Sequence, residues 1–244
     1  MTPTLKHFLE FKDELAKYHV SETALTALDD IKLVLLIGLT SSGRGTILRH
    51  QIATGRYYYI VSDTTRPPRV NDGLPEQNGV EYWFRSEEEV LADLREGLYL
   101  EAELIHGQQV SGISIRELKK AKEAQKIPIA DVDLQGVHNI VKVKPDTEVI
   151  MIIPPSFEEW QRRLAKRGVM RPDEQRRRME TAQLILDDAQ RERYYNFVIS
   201  ENVEQSAGII DSIVAGKANP HQGRAAGVID QIQYNLRGKL NPGF

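Results

Sequence analysis

Cysteine is absent from the 244 residues. Disulfides, thiolate metal sites and cysteine nucleophiles are therefore excluded. No apolar run approaches the roughly 20 residues that a membrane-spanning helix requires. The start, Met1-Thr2-Pro3-Thr4, carries no signal-peptide pattern. The chain reads as a soluble, cytoplasmic protein with no membrane partner. Neither sign of charge prevails: 32 Lys and Arg face 35 Asp and Glu, for a net charge of −3. A general nucleic-acid binder would be strongly basic, so no nucleic-acid partner is expected. The six histidines are scattered without ligand spacing. Repeats and low-complexity stretches are also missing. What remains is a chain 41% hydrophobic, enough for one large α/β domain with appendages.

The rest is organised around one stretch. Leu33-Val34-Leu35-Leu36-Ile37 is an unbroken apolar run, suited to a strand buried on both faces. It breaks into Gly38-Leu39-Thr40-Ser41-Ser42-Gly43-Arg44-Gly45-Thr46 and resumes as a helix-compatible segment from Ile47. Strand, glycine-bounded loop and helix make a phosphate-binding loop: backbone N–H groups turn inward and the helix start adds partial positive charge. Against G-x-x-x-x-G-K-[ST], Gly38 and Gly43 have the required spacing, and Arg44 stands at the lysine position.

Residues 1–30 read as a helical extension, with Ser21 a helix N-cap. Serine followed three residues on by glutamate marks three helix starts: Ser86 with Glu89, Ser114 with Glu117, and Ser156 with Glu159. Between them, Ile127–Asp133 and Glu148–Ile153 read as interior parallel strands. Strands alternating with helices predict an α/β fold with a mostly parallel sheet covered by helices. A basic segment from Arg162 to Arg178 follows, then a last strand near Phe197, a last helix over Val203–Val214, and an appendage over 216–244 with one helix near Ala225–Leu236.

Six motifs then fall in one order. Val61-Ser62-Asp63-Thr64-Thr65-Arg66-Pro67-Pro68-Arg69 resembles the V-S-x-T-T-R-x-P-R of guanylate kinases, and Gly79–Phe84 their G-x-x-Y-x-F. Leu100-Glu101 with His106-Gly107 is similar to L-E-W-A-x-x-H-G. Asp131-Val132-Asp133-Leu134-Gln135-Gly136 resembles D-I-D-x-Q-G, Ile153–Ser156 resembles L-P-P-S, and Arg163–Gly168 resembles the lid start R-L-x-x-R-G. The resemblance covers about residues 31–215. It implies a P-loop nucleoside monophosphate kinase fold with a GMP-binding lobe over 62–112 and a helical lid over 157–180.

The resemblance also implies roles. ATP would lie on Gly38, Thr40, Ser41, Ser42, Gly43, Arg44, Gly45 and Thr46, with Mg2+ as cofactor. Arg66 and Arg69 would hold the GMP phosphate, joined by the Tyr82 hydroxyl; a guanidinium fork matches a phosphate bidentately. Glu101 would accept from the N1–H and N2–H₂ edge of guanine, with Ser62 and Asp131 completing base recognition. Asp133 would orient magnesium through water. Arg163 and Arg167, four apart on one helix face, would close over the ATP phosphates with Arg178. Taken alone, Arg66 and Arg69 read as a solvated basic loop and Glu101 as a strand-end surface charge.

Departures divide the functional readings. Arg44 replaces the loop lysine. His106–Gly112 lacks the tyrosines of H-G-x-Y-Y-G, with Val110 nearest in position. A few extra residues lie around Leu74-Pro75-Glu76-Gln77. The first reading is an ATP-dependent GMP kinase forming GDP, with reduced activity. The alternative is an inactive module binding GMP or a protein. A monomer or homodimer suits either.

Overall fold

The computed structural model describes residues 5–71, 73–166, 168 and 170–241. Met1–Thr4 lie outside the described residues. In chain order the elements are α1 (Phe8–Ala16), α2 (Glu22–Leu28), β1 (Val34–Gly38), α3 (Arg44–Ala53), β2 (Tyr57–Tyr59), β3 (Asp63–Thr64), β4 (Val70–Asn71), β5 (Leu74–Pro75), β6 (Trp83–Phe84), α4 (Glu87–Arg95) and β7 (Tyr99–Ile105). There follow β8 (Gln109–Ser114), α5 (Ile115–Glu123), β9 (Ile127–Asp131), α6 (Leu134–Val143), β10 (Glu148–Ile153), α7 (Phe157–Ala165), α8 (Pro172–Arg191), β11 (Tyr195–Ile199), α9 (Val203–Val214) and α10 (Gln222–Leu240). The expected α/β fold with parallel strands is present, together with a second, mixed sheet.

The chain divides into two compact units. The first comprises the segment to Leu33, Tyr57–Ala130 and His138–Asp146. In it β2 pairs in parallel with β9, and a mixed sheet runs β6-β3-β8-β7. Helix α1 lies on α4 and β7. Phe11 is fully buried there with Val90, Leu91, Leu94, Tyr99 and Val110, and Phe8 and Leu15 pack against them. Ser21 caps α2 by accepting from the Ala24 N–H.

The second unit comprises Val34–Arg56, Asp131–Val137 and Thr147 onward. Its strands run β11-β10-β1, all parallel. Leu35–Ile37 and Val149–Ile153 have no exposed surface. This matches their unbroken apolar sequence, because both faces of such a strand are covered. Helix α3 packs on β1 and α9, and α10 packs on α7, α8 and β11.

The three serine–glutamate motifs cap their helices differently. Ser86 and Glu89 form the full reciprocal box. Ser156 accepts from the Glu159 N–H, but the Glu159 carboxylate turns to Arg162 and Arg163. Ser114 stands at the N-cap of α5, as expected of a helix start, but its side chain makes no cap bond, so the capping box itself is absent there. Its partner Glu117 is buried and accepts from the Tyr58 hydroxyl, the Val61 N–H and Lys120. Tertiary donors have taken the carboxylate that the local motif would have used.

Candidate active site

In the second unit the loop after β1 has the geometry its glycines predict. A side chain at Gly38 would collide with the Ile152 carbonyl of the neighbouring strand. Gly43 caps α3 with φ of 102°, a left-handed conformation that favours glycine. The loop opens into a cleft of 610 Å³ lined by Leu39–Ile47, Arg49, Asp131, Arg163, Lys166 and Ser200–Val203. That volume suits a nucleotide. The cleft lies at the carboxyl ends of the parallel strands, where open α/β sheets bind ligands.

Among the described residues, four cationic side chains line the cleft (Arg44, Arg49, Arg163, Lys166) against two carboxylates (Asp131, Glu201). Arg44 Nε meets Asp131 Oδ1 at 2.9 Å, and Arg44 Nη1 donates to the Val132 carbonyl at 3.4 Å. Burial pushes the Asp131 carboxyl up, and the Arg44 charge opposes that shift. Asp131, expected to complete base recognition, lines this cleft and pairs with Arg44.

Helix α7 grips the loop from one face. Trp160 Nε1 donates to the Thr40 carbonyl at 2.7 Å. Three residues on, Arg163 donates to the Ser42 carbonyl at 2.9 Å and to the Ser200 hydroxyl and carbonyl at 2.8 and 2.7 Å. Glu159 bonds Arg163 and Arg162, which hold its carboxyl down at about 2. Arg178 lies on α8 and pairs with Glu174, and it does not line the cleft. Arg167 lies outside the described residues.

Oxygen donors in this unit suit a hard cation brought in on phosphates. The Ser41 and Ser42 hydroxyls are buried with no hydrogen-bond partner. Asp133 Oδ1 accepts the Gly136 N–H at 2.8 Å, starting α6. Among the described residues no cluster of three or more acidic, histidine or cysteine side chains could hold a metal. Magnesium in kinases needs only one or two carboxylates beside the phosphates and water.

The first unit carries the remaining predicted residues. Arg66 makes a bidentate pair with Glu76 at 2.6 and 3.0 Å. Its guanidinium lies 4.8 Å from the Tyr82 ring centroid and 5.7 Å from that of Phe84. Glu76 also accepts the Arg69 N–H at 2.8 Å, while the Arg69 side chain is exposed. The extra stretch around residue 76 therefore supplies the organiser of this arginine loop. Ser62 accepts the Trp83 N–H through its carbonyl. Glu101, beside an irregularity in β7, accepts the Ile113 N–H at 3.2 Å. Below this loop Asp63 is buried; it takes the Tyr99 hydroxyl at 2.7 Å, Arg116 at 2.7 Å and Arg85 at 3.2 Å. Burial pushes its carboxyl up against those three donors. Val110, standing where a tyrosine was expected, points into the apolar core.

Arg49, Lys166, Ser200, Glu201, Asn202 and Val203, with the apolar Leu39 and Ile47, line the cleft beyond the residues that the sequence singles out. Lys166 had a signal: it follows Arg163 by three and shares its helix face. Ser200–Val203 had none, since they reach the cleft only because β11 runs parallel to β10 and β1.

The family model described as Guanylate kinase matches residues 30–215. Guanylate kinase of Bifidobacterium longum is 35% identical over 189 residues, spanning 75% of this chain and 93% of that protein. Guanylate kinase of Corynebacterium diphtheriae is 36% identical over 190 residues, spanning 76% and 95%. In fold, the crystal structure of guanylate kinase from Anaplasma phagocytophilum aligns with a TM-score of 0.52 at 23% identity, over 76% of this chain and 85% of that one.

Proposed function

The chain belongs to the guanylate kinase family, and we infer that it transfers the γ-phosphoryl group of ATP to GMP, forming GDP and ADP. The observation that carries this reading is the cationic cleft on the loop from Gly38 to Thr46. Phosphoryl transfer asks a protein for positioning and charge stabilisation more than for covalent chemistry. ATP phosphates would rest on the loop backbone and the start of α3, with Lys166 and Arg44 supplying positive charge. Arg163, already bonded to the Ser42 and Ser200 carbonyls, holds the loop in shape. Magnesium, when bound, neutralises charge on the β- and γ-phosphates; Asp133 would orient a water on it. Arg178, paired with Glu174 on α8, would act as a lid arginine once nucleotide is bound.

In the first unit Arg66, Arg69 and Tyr82 would take the GMP phosphate, and Ser62 and Glu101 the guanine. Two soluble nucleotides as substrates suit a cytoplasmic protein. A second reading, a GMP-binding module without turnover, draws on one observation: the arginine at the lysine position is already engaged by Asp131. A coupled assay of ADP and GDP formation with ATP, magnesium and GMP, beside GMP calorimetry, separates the two. GDP formation supports the kinase; GMP binding with no GDP supports the module.

A further inference from the structure

β11 is the edge strand of β11-β10-β1 in its unit. Along a strand, alternate residues turn their N–H and C=O to the same side. The Ser200 N–H turns inward, to the Ile153 carbonyl at 2.8 Å. Tyr195, Phe197 and Ile199 accordingly face outward, where an uncovered edge would leave backbone groups unpaired. Side chains of Asn219 and His221, between α9 and α10, and of Gln222, the first residue of α10, cover them. Asn219 donates to the Phe197 carbonyl, and Gln222 donates to the Tyr195 carbonyl while accepting the Phe197 N–H, all at 3.0 Å. His221 Nδ1 accepts the Ile199 N–H at 3.0 Å, which fixes its tautomer with the proton on Nε2.

This last contact leads directly to the cleft. Ile199 precedes Ser200, Glu201, Asn202 and Val203, all of which line it. The Ser200 hydroxyl donates to the Ser42 carbonyl of the phosphate loop. Arg224, three residues after His221, bonds Glu201 at 2.8 Å. His221 itself is buried, with Glu201 from the strand end and Arg224 from its own helix as its charged neighbours. The Ser200 hydroxyl is spent on the Ser42 carbonyl, and the rest of the 200–203 wall presents the exposed carboxylate of Glu201, held by Arg224, the amide of Asn202, whose oxygen caps α9, and the apolar side chain of Val203. That chemistry suits the base and ribose of a nucleotide rather than its phosphates. Residues 219–224 lie beyond the 30–215 span matched by the family.

We propose that His221 is a positioning residue for the donor-nucleotide site: by accepting the Ile199 amide it fixes the 200–203 wall, so that the C-terminal segment tunes nucleotide affinity. This rests on reading the cleft as the ATP site. The test compares the full-length native protein with His221→Leu, which removes the acceptor, and His221→Asn, whose side-chain oxygen replaces Nδ1. The expected result for His221→Leu is a KM for ATP raised about tenfold, the effect of a lost buried hydrogen bond, with kcat and the KM for GMP within about twofold of native. His221→Asn should recover most of the loss, and exchange of the Ile199 amide should quicken only in the leucine variant. An unchanged KM for ATP in His221→Leu overturns the proposal. So does a joint shift of kcat and both KM values, which marks a general structural role. If the native protein forms no GDP, the kinase reading has failed; magnesium–ATP calorimetry on the same three proteins then decides. Weaker binding by the leucine variant alone supports the positioning role, and equal binding overturns it.

Discussion

Arg44 and Asp131 form a 2.9 Å ion pair on the wall of the phosphate cleft, joining the loop after β1 to the end of β9. The lysine of the usual loop is a compact charge on a flexible stem, whereas arginine is a planar fork. Here Nε faces the carboxylate and Nη1 faces the Val132 carbonyl. The remaining guanidinium donors are what a β- or γ-phosphate would meet.

Arg44→Met should lower kcat by about 10²–10³, the scale for losing one preorganised donor. The KM for GMP should barely move. Arg44→Lys should also be slower than native, because a single ammonium cannot hold Asp131 and the Val132 carbonyl from two nitrogens and still present a further nitrogen to a phosphate. Steady-state kinetics at saturating magnesium check both; a lysine variant faster than native would show that the loop is merely impaired.

Glu101 should confer selection of GMP over AMP. Guanine offers two donors on one edge, where adenine offers an unprotonated N1. Glu101→Gln exchanges an acceptor for a donor and should weaken GMP by about 1–3 kcal/mol, leaving AMP little changed. Calorimetry with the two nucleotides measures this, and equal native affinity for them would contradict it.

Glu76 should matter to both fold and binding. Its pair with Arg66 is nearly buried, at 7% and 9% side-chain exposure. Removing one member of a buried pair strands the other charge, so Glu76→Ala should cost about 3 kcal/mol of stability. The KM for GMP should rise with it. Denaturant titration and GMP kinetics are the readouts.

Helix α1 is part of the first unit's core. Phe11 is fully buried against α4 and β7 residues, so Phe11→Ala should destabilise by about 3–5 kcal/mol. Thermal unfolding would register it, whereas an unchanged Tm would make α1 dispensable.

His221 should give the stability a pH dependence. Burial, with Arg224, holds its pKa below the ordinary 6.5, and Glu201 opposes that shift. Below about pH 6.5 the unfolded imidazole takes up a proton that the folded one still refuses. The unfolded state then binds more protons, so stability falls as pH drops through that region and is unaffected above it. His221→Asn removes this contribution. The Tm advantage of native over variant should therefore shrink between about pH 7.5 and about pH 5.5.

Much of the architecture is written locally. Leu33–Ile37 and Glu148–Ile153 declare buried strands by unbroken apolar runs, Ser86 and Glu89 declare a helix start, and Val203–Val214 matches α9 residue for residue. Gly38 and Gly43 announce the phosphate loop because close approach and positive φ admit little else. Such features depend on neighbours a few residues away, so the order of residues suffices. Partner choice does not. Arg66 finds Glu76 ten residues on, Arg44 finds Asp131 and Val132 in a distant segment, Glu117 abandons its cap for Tyr58 and Val61, and Ile199 finds His221 twenty-two residues later. A charged or polar side chain has many possible partners along a chain. Only the return of the backbone in three dimensions, and the cost of leaving a buried polar group unpaired, selects one.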